Sequence, residues 1–334
     1  MPTHQPDPPL TRRDFLATSA ATVTAPGVFA LPPERPARKK ALVCITFDLE
    51  MSAEYPRRDM LEWNYQKGNL DDATKKYAVE AGRIVKERGG RIHYFCVGQV
   101  LEQENVNWLR DLARAGHPVG NHTYDHVNVK ARKVDELQYR FRRAPWLVHG
   151  KSARQVIVEN VKMTTEGLKE RAGIAADGFR TPGGFPDGLR DRPDLQKLLL
   201  DLGFKWVSSL YPAHKSGAVG KEPGPEVYAD IVRAQAKAQP FAYPTGLVEV
   251  PMSPISDVTA FRAHRWKLPH FLKALRLAVE WAVANGAVFD FLAHPSCLVV
   301  EDPKFEAVKL LCDLVRRAGD RAALATLGAV ARSV

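Results

Sequence analysis

The segment ALVCITFDLE, residues 41–50, begins the part of the chain that decides the fold. A largely apolar run from Leu42 to Phe47 leads there directly into two carboxylates, Asp48 and Glu50. Short apolar runs of this kind are typical of strands buried on both faces of a parallel sheet. From residue 41 onward such runs alternate with segments of helical period, which predicts an α/β fold of β-α units around a parallel sheet or barrel. The further predicted strands are Ile92 to Val97, Pro118 to Gly120, Gly178 to Phe179, Phe204 to Val207, Leu247 to Val250 and Ala287 to Leu292.

Helix start and stop signals lie between these strands. The segment from Tyr211 to Pro244 departs from the alternation, because several Pro and Gly residues surround one weakly periodic stretch. We interpret residues 211–244 as an insertion, placed to wall a substrate groove at a barrel rim. The predicted helices are one opened by Asp71-Asp72 and ended by Gly89-Gly90, one through Trp108 ended by Gly116, one from Pro193 to before Gly203, and two near Leu268 to Ala284 and Pro303 to Ala318.

Composition excludes several classes of protein. The chain has 334 residues, 45% of them hydrophobic and 26% charged, which is typical of a globular protein and suits either two domains or one α/β barrel of about 250 residues. No apolar run approaches the roughly 20 residues of a membrane-spanning helix. The net charge of +10 is spread over scattered basic pairs, so it favours an anionic partner without indicating nucleic acid. The four cysteines have no spacing typical of a zinc or disulfide framework.

The first thirty residues have the pattern of an export signal. Thr11-Arg12-Arg13-Asp14-Phe15-Leu16 precedes an Ala- and Thr-rich segment that ends in Val28-Phe29-Ala30, and the whole resembles a twin-arginine signal peptide. Residues 31–40, rich in Pro and basic residues, indicate a linker. We therefore expect export to the periplasm or cell envelope, followed by one catalytic domain at residues 41–334.

Reactive polar residues follow several of the predicted strands. The carboxyl ends of barrel strands form one face, so these side chains are expected to converge there. His122 and His126, four residues apart, would share one face of a helical turn and could hold a metal, with a third ligand from Asp48 or Glu50 and a position left for water. The strand-end residues are Asp48, Glu50, His122, His126, Arg180, Ser208, Ser209 and His294.

Four short motifs occur in the order typical of the polysaccharide deacetylase (NodB-homology, carbohydrate esterase family 4) family, which residues 42–300 resemble. Phe95-Cys96-Val97-Gly98 is also similar to that family's second-strand pattern. The four motifs are Thr46-Phe47-Asp48, His122-Thr123-Tyr124-Asp125-His126, Arg180-Thr181-Pro182-Gly183-Gly184 and Leu292-Ala293-His294.

The resemblance implies a distorted (β/α) barrel of the NodB-homology type. It also implies metal-dependent hydrolysis of N-acetyl groups on sugars, with a divalent ion, zinc being expected. Position by position, the resemblance implies that Asp48 is the general base, that Arg180 holds this base in place, and that His294 is the general acid. His122 and His126 match the metal ligands. Substrate contacts are expected from Pro182, Gly183, Trp206 and Ser208, although Trp206 could equally belong to the core.

The chain departs from the family pattern at two positions. Leu49 stands where the family has its metal-binding Asp, so Glu50 is expected to take over, because residues two apart on a strand point the same way. Val207 stands where an Asp is common, which leaves Asp290 and Asp257 as candidate partners of His294.

The departures leave three functions open. The Asp-x-Glu form is similar to a branch that includes both cell-wall deacetylases and metal-independent, allantoinase-like ring hydrolases. We predict a deacetylase acting on an envelope or extracellular N-acetylated glycan. The alternatives are an amidohydrolase of cyclic imides or ureides and a non-catalytic carbohydrate-binding protein.

Overall fold

A computed structural model describes residues 39–60 and 62–334, and Lys39–Val334 form one compact unit. The predicted signal peptide at residues 1–30 and nearly all of the predicted linker lie outside the described residues. Within the described ranges, no helix is both long and apolar enough to cross a membrane.

The described residues form one curled sheet whose strands follow the order β6-β7-β5-β4-β3-β2-β1-β8. All pairings are parallel except that of β6 with β7. β9 pairs with the first half of β1, and β2 with its second half. The strands are β1 Ala41–Leu49, β2 Ile92–Cys96, β3 Val119–Asn121, β4 Phe179–Phe185, β5 Trp206–Leu210, β6 Phe241–Ala242, β7 Val248–Glu249, β8 Val288–Ala293 and β9 Ala322–Ala325.

Helices cover the outside of the sheet. Asp71 caps the first one by accepting from the Thr74 N–H at 2.7 Å, and the left-handed Gly173 and Gly286 end two others. The helices are α1 Asp72–Glu87, α2 Asn107–Arg114, α3 Tyr139–Arg143, α4 Ala153–Ala172, α5 Pro193–Asp201, α6 Pro225–Gln235, α7 Leu268–Asn285, α8 Pro295–Glu301, α9 Glu306–Ala318 and α10 Leu327–Ala331.

The structure differs from the sequence expectations at α4 and in the segment from residue 211 to 244, among other elements. The sequence did not predict α4, because Asn160 and Thr164 on its buried side interrupt the apolar period. The segment interpreted as an insertion contains α6, which connects β5 to its parallel neighbour β7. Parallel strands require such a crossover, so much of residues 211–244 is a regular β-α unit of the barrel with long loops.

The barrel has an apolar end and a polar end. Around the starts of the strands, Cys44, Phe95 and Trp206 pack with Leu327 and Val330 of α10. Along β1 the residues alternate in direction, so Thr46 and Asp48 face the interior above Cys44. The predicted α/β fold of the distorted-barrel type is confirmed, and it directs the reactive residues to the carboxyl ends of the strands.

Candidate active site

A cavity of about 280 Å³ opens at the carboxyl ends of the strands. Its walls combine ionisable side chains with Tyr211, Met252 and Leu292. The sequence-predicted residues that line it are Asp48, Glu50, His122, His126, Gly183 and His294. Residues separated by almost 250 positions therefore meet in one cavity, as the strand-end pattern predicted.

Glu50, His122 and His126 form a group suited to a metal ion. One ligand atom from each lies within 4.8 Å of the others. The nearest pair is His126 Nε2 and Glu50 Oε2, separated by 2.9 Å. Two imidazoles and one carboxylate form a common donor set for catalytic zinc, which leaves a fourth coordination position for water or substrate.

The contacts and burial of these three side chains favour the forms that can bind a metal ion. His122 Nδ1 lies 2.9 Å from the Arg180 carbonyl oxygen, which can only accept, so Nδ1 carries the hydrogen and Nε2 keeps its lone pair. Burial lowers the pKa of His126 to about 4, so this imidazole is neutral at pH 7. Glu50 Oε2 is buried, and its close polar neighbour among the described residues is His126 Nε2 at 2.9 Å. A metal ion bound by both side chains would replace this contact.

Glu50 is held as a carboxylate although it is almost completely buried. Burial raises its pKa, but His126, Lys67 and His294 act in the opposite direction and hold the pKa well below its usual range. Lys67 Nζ donates to Glu50 Oε1 at 3.3 Å and to the Met51 carbonyl at 3.1 Å. The charged form is therefore available as a ligand at neutral pH.

Arg180 connects two carboxylates in the barrel interior. The side chain is fully buried, with Nη1 3.1 Å from Asp48 Oδ1 and Nη2 2.6 Å from Asp290 Oδ2. Its guanidinium lies 4.3 Å from the ring centroid of Phe95, and Ser208 Oγ accepts from it at 3.2–3.3 Å. Asp48 is thus oriented by a fixed cation, with Oδ2 3.6 Å from His122 Nε2.

His294 lines the same cavity as Asp48 and lies close to it. Its Nδ1 contacts Asp257 Oδ1 at 3.0 Å, and its Nε2 lies 3.4 Å from Glu50 Oε1 and 4.0 Å from Asp48 Oδ2. Burial lowers the pKa of His294, but Asp257 and Glu50 outweigh it and raise the pKa to about 10. The imidazole is consequently a proton donor at neutral pH. Of the two candidate partners, Asp257 is the one in contact, whereas Asp290 pairs with Arg180.

Trp206 and Ser208 do not contact the cavity, contrary to the predicted substrate contacts. Trp206 is 6% exposed and packs against His93 and Phe95 in the apolar end of the barrel. Ser208 is fully buried and contacts Arg180 instead. Both face the barrel interior, two residues apart on β5, but below the level of the cavity. Pro182 is also buried, and its neighbours Thr181 and Gly183 line the cavity in its place.

Lys67, Tyr211 and Arg262 line the cavity and were not predicted from the sequence. Lys67 lies in the long loop after β1, Tyr211 directly follows β5, and Arg262 lies on a π-helical turn, Val258–Ala263. None of the three carried a positional signal, because the strand before Tyr211 was predicted to end at Val207 and extends in the structure to Leu210.

Comparison with known proteins shows which family the chain is similar to. A family model described as polysaccharide deacetylase matches residues 69–205. No curated protein matches the chain in sequence. A putative polysaccharide deacetylase from Mycobacterium smegmatis is 19% identical, with 91% of this chain and 93% of that chain covered and a TM-score of 0.58.

Two further solved structures share the fold at similar levels. A probable polysaccharide deacetylase from Pseudomonas aeruginosa PAO1 is 14% identical, with coverage of 92% and 95% and a TM-score of 0.59. A structure described as Puue allantoinase is also 14% identical, with coverage of 93% and 97% and a TM-score of 0.57. With the family match, these likenesses confirm the resemblance to polysaccharide deacetylases and the enzyme class, a hydrolase acting on carbon–nitrogen bonds.

Proposed function

We propose that this hydrolase of the polysaccharide deacetylase family removes N-acetyl groups from a glycan with the help of a divalent metal ion. One observation carries the proposal. The cavity presents a carboxylate base, Asp48, and a protonated imidazole, His294, next to the group formed by Glu50, His122 and His126. Amide hydrolysis requires a base for water, an acid for the amine and a polarised carbonyl.

Glu50, His122 and His126 would hold the metal, and their chemistry favours zinc. When bound, the ion would act as a Lewis acid on the acetyl carbonyl and the attacking water. The neutral state of His126 and the 2.9 Å between its Nε2 and Glu50 Oε2 support this assignment.

Asp48 accepts the proton of the attacking water in the proposed reaction. The contact with Arg180, which donates from Nη1 to Asp48 Oδ1 at 3.1 Å, orients the carboxylate before the reaction begins. Arg180 itself is held by Asp290 and Thr46, so it cannot turn away from the base. This buried network positions the base without contacting the substrate.

His294 donates the proton that the leaving nitrogen needs. The bond between the acetyl carbon and the nitrogen breaks, the carbon keeps the hydroxyl from water as acetate, and the nitrogen leaves as an amine because His294 protonates it. Amines are poor leaving groups as anions, so the reaction depends on this acid. Asp257 stabilises the protonated imidazole and orients Nε2 into the cavity.

We further propose that the substrate is an envelope or extracellular glycan. The support is the twin-arginine-like leader in residues 1–30. Twin-arginine export moves folded proteins, which suits a protein loaded with its metal before export.

A ring-opening amidohydrolase is the second candidate, because the fold is also similar to that of an allantoinase. The test is to incubate zinc-loaded protein with N-acetylglucosamine oligomers, peptidoglycan fragments and cyclic imides, and to measure acetate and ring opening. Asp48→Asn protein is the control for contaminating activity. Acetate from a glycan supports the proposal, whereas ring opening without acetate overturns it.

A further inference from the structure

Arg262 is a cation at the cavity that contacts no carboxylate among the described residues. Within the part of the chain that the structure describes, the side chain makes a single, long hydrogen bond, 3.5 Å from Nη1 to Ser52 Oγ. Other cations around the cavity are paired: Lys67 with Glu50, and His294 with Asp257. Below the cavity, Arg180 is paired with Asp48 and Asp290. Arg262 therefore has donors available for a ligand.

The turn that carries Arg262 is firmly anchored. The side chains of Ala260 and Phe261 are fully buried, and Phe261 packs on Phe271 with ring centroids 4.8 Å apart. Thr259 Oγ1 lies 2.8 Å from the Tyr211 hydroxyl, which ties the turn to the cavity wall. The backbone that carries this cation is positioned in advance, which reduces the entropy cost of binding an anion.

The same turn is linked to the acid of the proposed reaction. Asp257, the partner of His294, immediately precedes Val258, and its Oδ1 accepts from the Val258 N–H at 2.9 Å. Ser256 also lines the cavity. Arg262 is therefore held on the turn that begins next to the partner of His294, and an anion bound there would occupy the same cavity as the amide undergoing hydrolysis.

We propose that Arg262 binds a carboxylate carried by the substrate close to its N-acetyl group. A guanidinium offers paired donors that match the two oxygens of a carboxylate. The substrate class is then an N-acetylated sugar bearing a carboxylate substituent, rather than a neutral N-acetylated glycan. The chain's net charge of +10 also favours the approach of an anionic polymer. This inference rests on the proposed function, because it names the substrate of the same cavity.

The test compares two ligands that differ only at the carboxylate, N-acetylmuramic acid and its uncharged methyl ester. Their dissociation constants are measured by NMR titration of the zinc-loaded protein. We expect the acid to bind at least about tenfold more tightly than the ester, as for a charge-assisted contact. Arg262→Gln should bring this ratio close to one, and Arg262→Lys should leave an intermediate ratio, since the charge stays but the paired donors are lost.

Arg276→Gln is the matched control, because Arg276 is exposed on α7 and the substitution removes the same charge outside the cavity. It should keep the full preference for the acid. A wild-type protein without the preference, or an Arg262→Gln protein that retains it, overturns the inference.

Acetate signals in the same spectra, and with N-acetylglucosamine oligomers, report on the proposed function separately. An Arg262-dependent preference without acetate from any ligand would support the anion site and contradict the deacetylase. Acetate release without a preference for the acid would support the deacetylase and contradict the anion site at Arg262.

Discussion

Asp257→Asn should remove the charge that keeps His294 protonated, while leaving the shape of the site intact. Asp257 is fully buried, and its Oδ1 lies 3.0 Å from His294 Nδ1. Its Oδ2 accepts from the His294 N–H at 2.8 Å. An asparagine oxygen can keep one acceptor contact, so the main loss is electrostatic.

The size of the effect follows from the short distance. Two unit charges about 3 Å apart attract by about 5 kcal/mol at an effective dielectric constant of about 20. A factor of ten in proton affinity corresponds to about 1.4 kcal/mol, so His294 should bind its proton roughly a thousandfold less tightly in the variant. The pKa of His294, about 10 in the native protein, then falls toward the neutral range.

The first assay is an NMR titration of the His294 imidazole in the metal-free protein. The second is the pH profile of kcat/KM with zinc bound, where the alkaline limb should move to lower pH. Because the general acid must be protonated, activity at about pH 8.5 should fall by at least tenfold, with a much smaller loss at about pH 6.

The pH dependence of the free energy of unfolding should change together with the pKa of His294. The pKa of His294 is raised on folding, so the ion pair stabilises the fold fully below the unfolded value of about 6.5. This stabilisation is lost as the pH rises through about 10 in the native protein, and at lower pH in the variant.

Glu249→Gln is the control for burying an amide in place of a carboxylate. Glu249 is fully buried and accepts from Ser209 and Tyr243, without contacting His294. It should leave the titration of His294 unchanged. An Asp257→Asn protein with the native pKa at His294 and an unmoved alkaline limb would refute the reasoning.

Three other predictions test the remainder of the site. Elemental analysis should find one zinc ion in the wild-type protein and no zinc in the His122→Ala, His126→Ala double variant. Stoichiometric zinc in the double variant would contradict the proposed ligands. Asp48→Asn should lower kcat by about 10²–10⁴-fold and retain zinc. If the Asp48→Asn protein instead lost zinc as completely as the Glu50→Gln protein, Asp48 would be a metal ligand and not the base. Arg180→Met should destabilise the fold by about 3–5 kcal/mol in urea unfolding, because it leaves buried carboxylates without their cation. Adding Asp290→Asn to Arg180→Met should recover part of that loss, and a destabilisation below about 1 kcal/mol would show that the network contributes little.

The sequence predicted the sheet better than it predicted the loops. The seven predicted strands each overlap an observed strand, because short apolar runs report burial directly. Strand β6, with two residues, and β9, late in the chain, carried too little pattern to be predicted. In α4, the buried Asn160 accepts from the Asp125 N–H, so a polar residue occupies a position where the helical period calls for an apolar one.

By itself, the sequence determined which residues meet at the carboxyl ends of the strands. An apolar run followed at once by Asp48, or by His294, places that residue at a strand end, and parallel strands bring their ends together. The two-residue period of a strand also predicted that Glu50 shares the side of Asp48. These inferences need only local patterns and a parallel sheet.

Only the tertiary structure decided what surrounds those residues. Asp290 and Asp257 were equal candidates for His294, but Asp290 on β8 faces Arg180 across the barrel, while Asp257 on a loop reaches the imidazole. Trp206 lies in the apolar end because its depth along the barrel depends on strand stagger, which no local pattern records. Arg262 reaches the cavity through an irregular turn. Loops have no period that fixes the direction of a side chain, so their contribution to the site emerges only when the chain is folded.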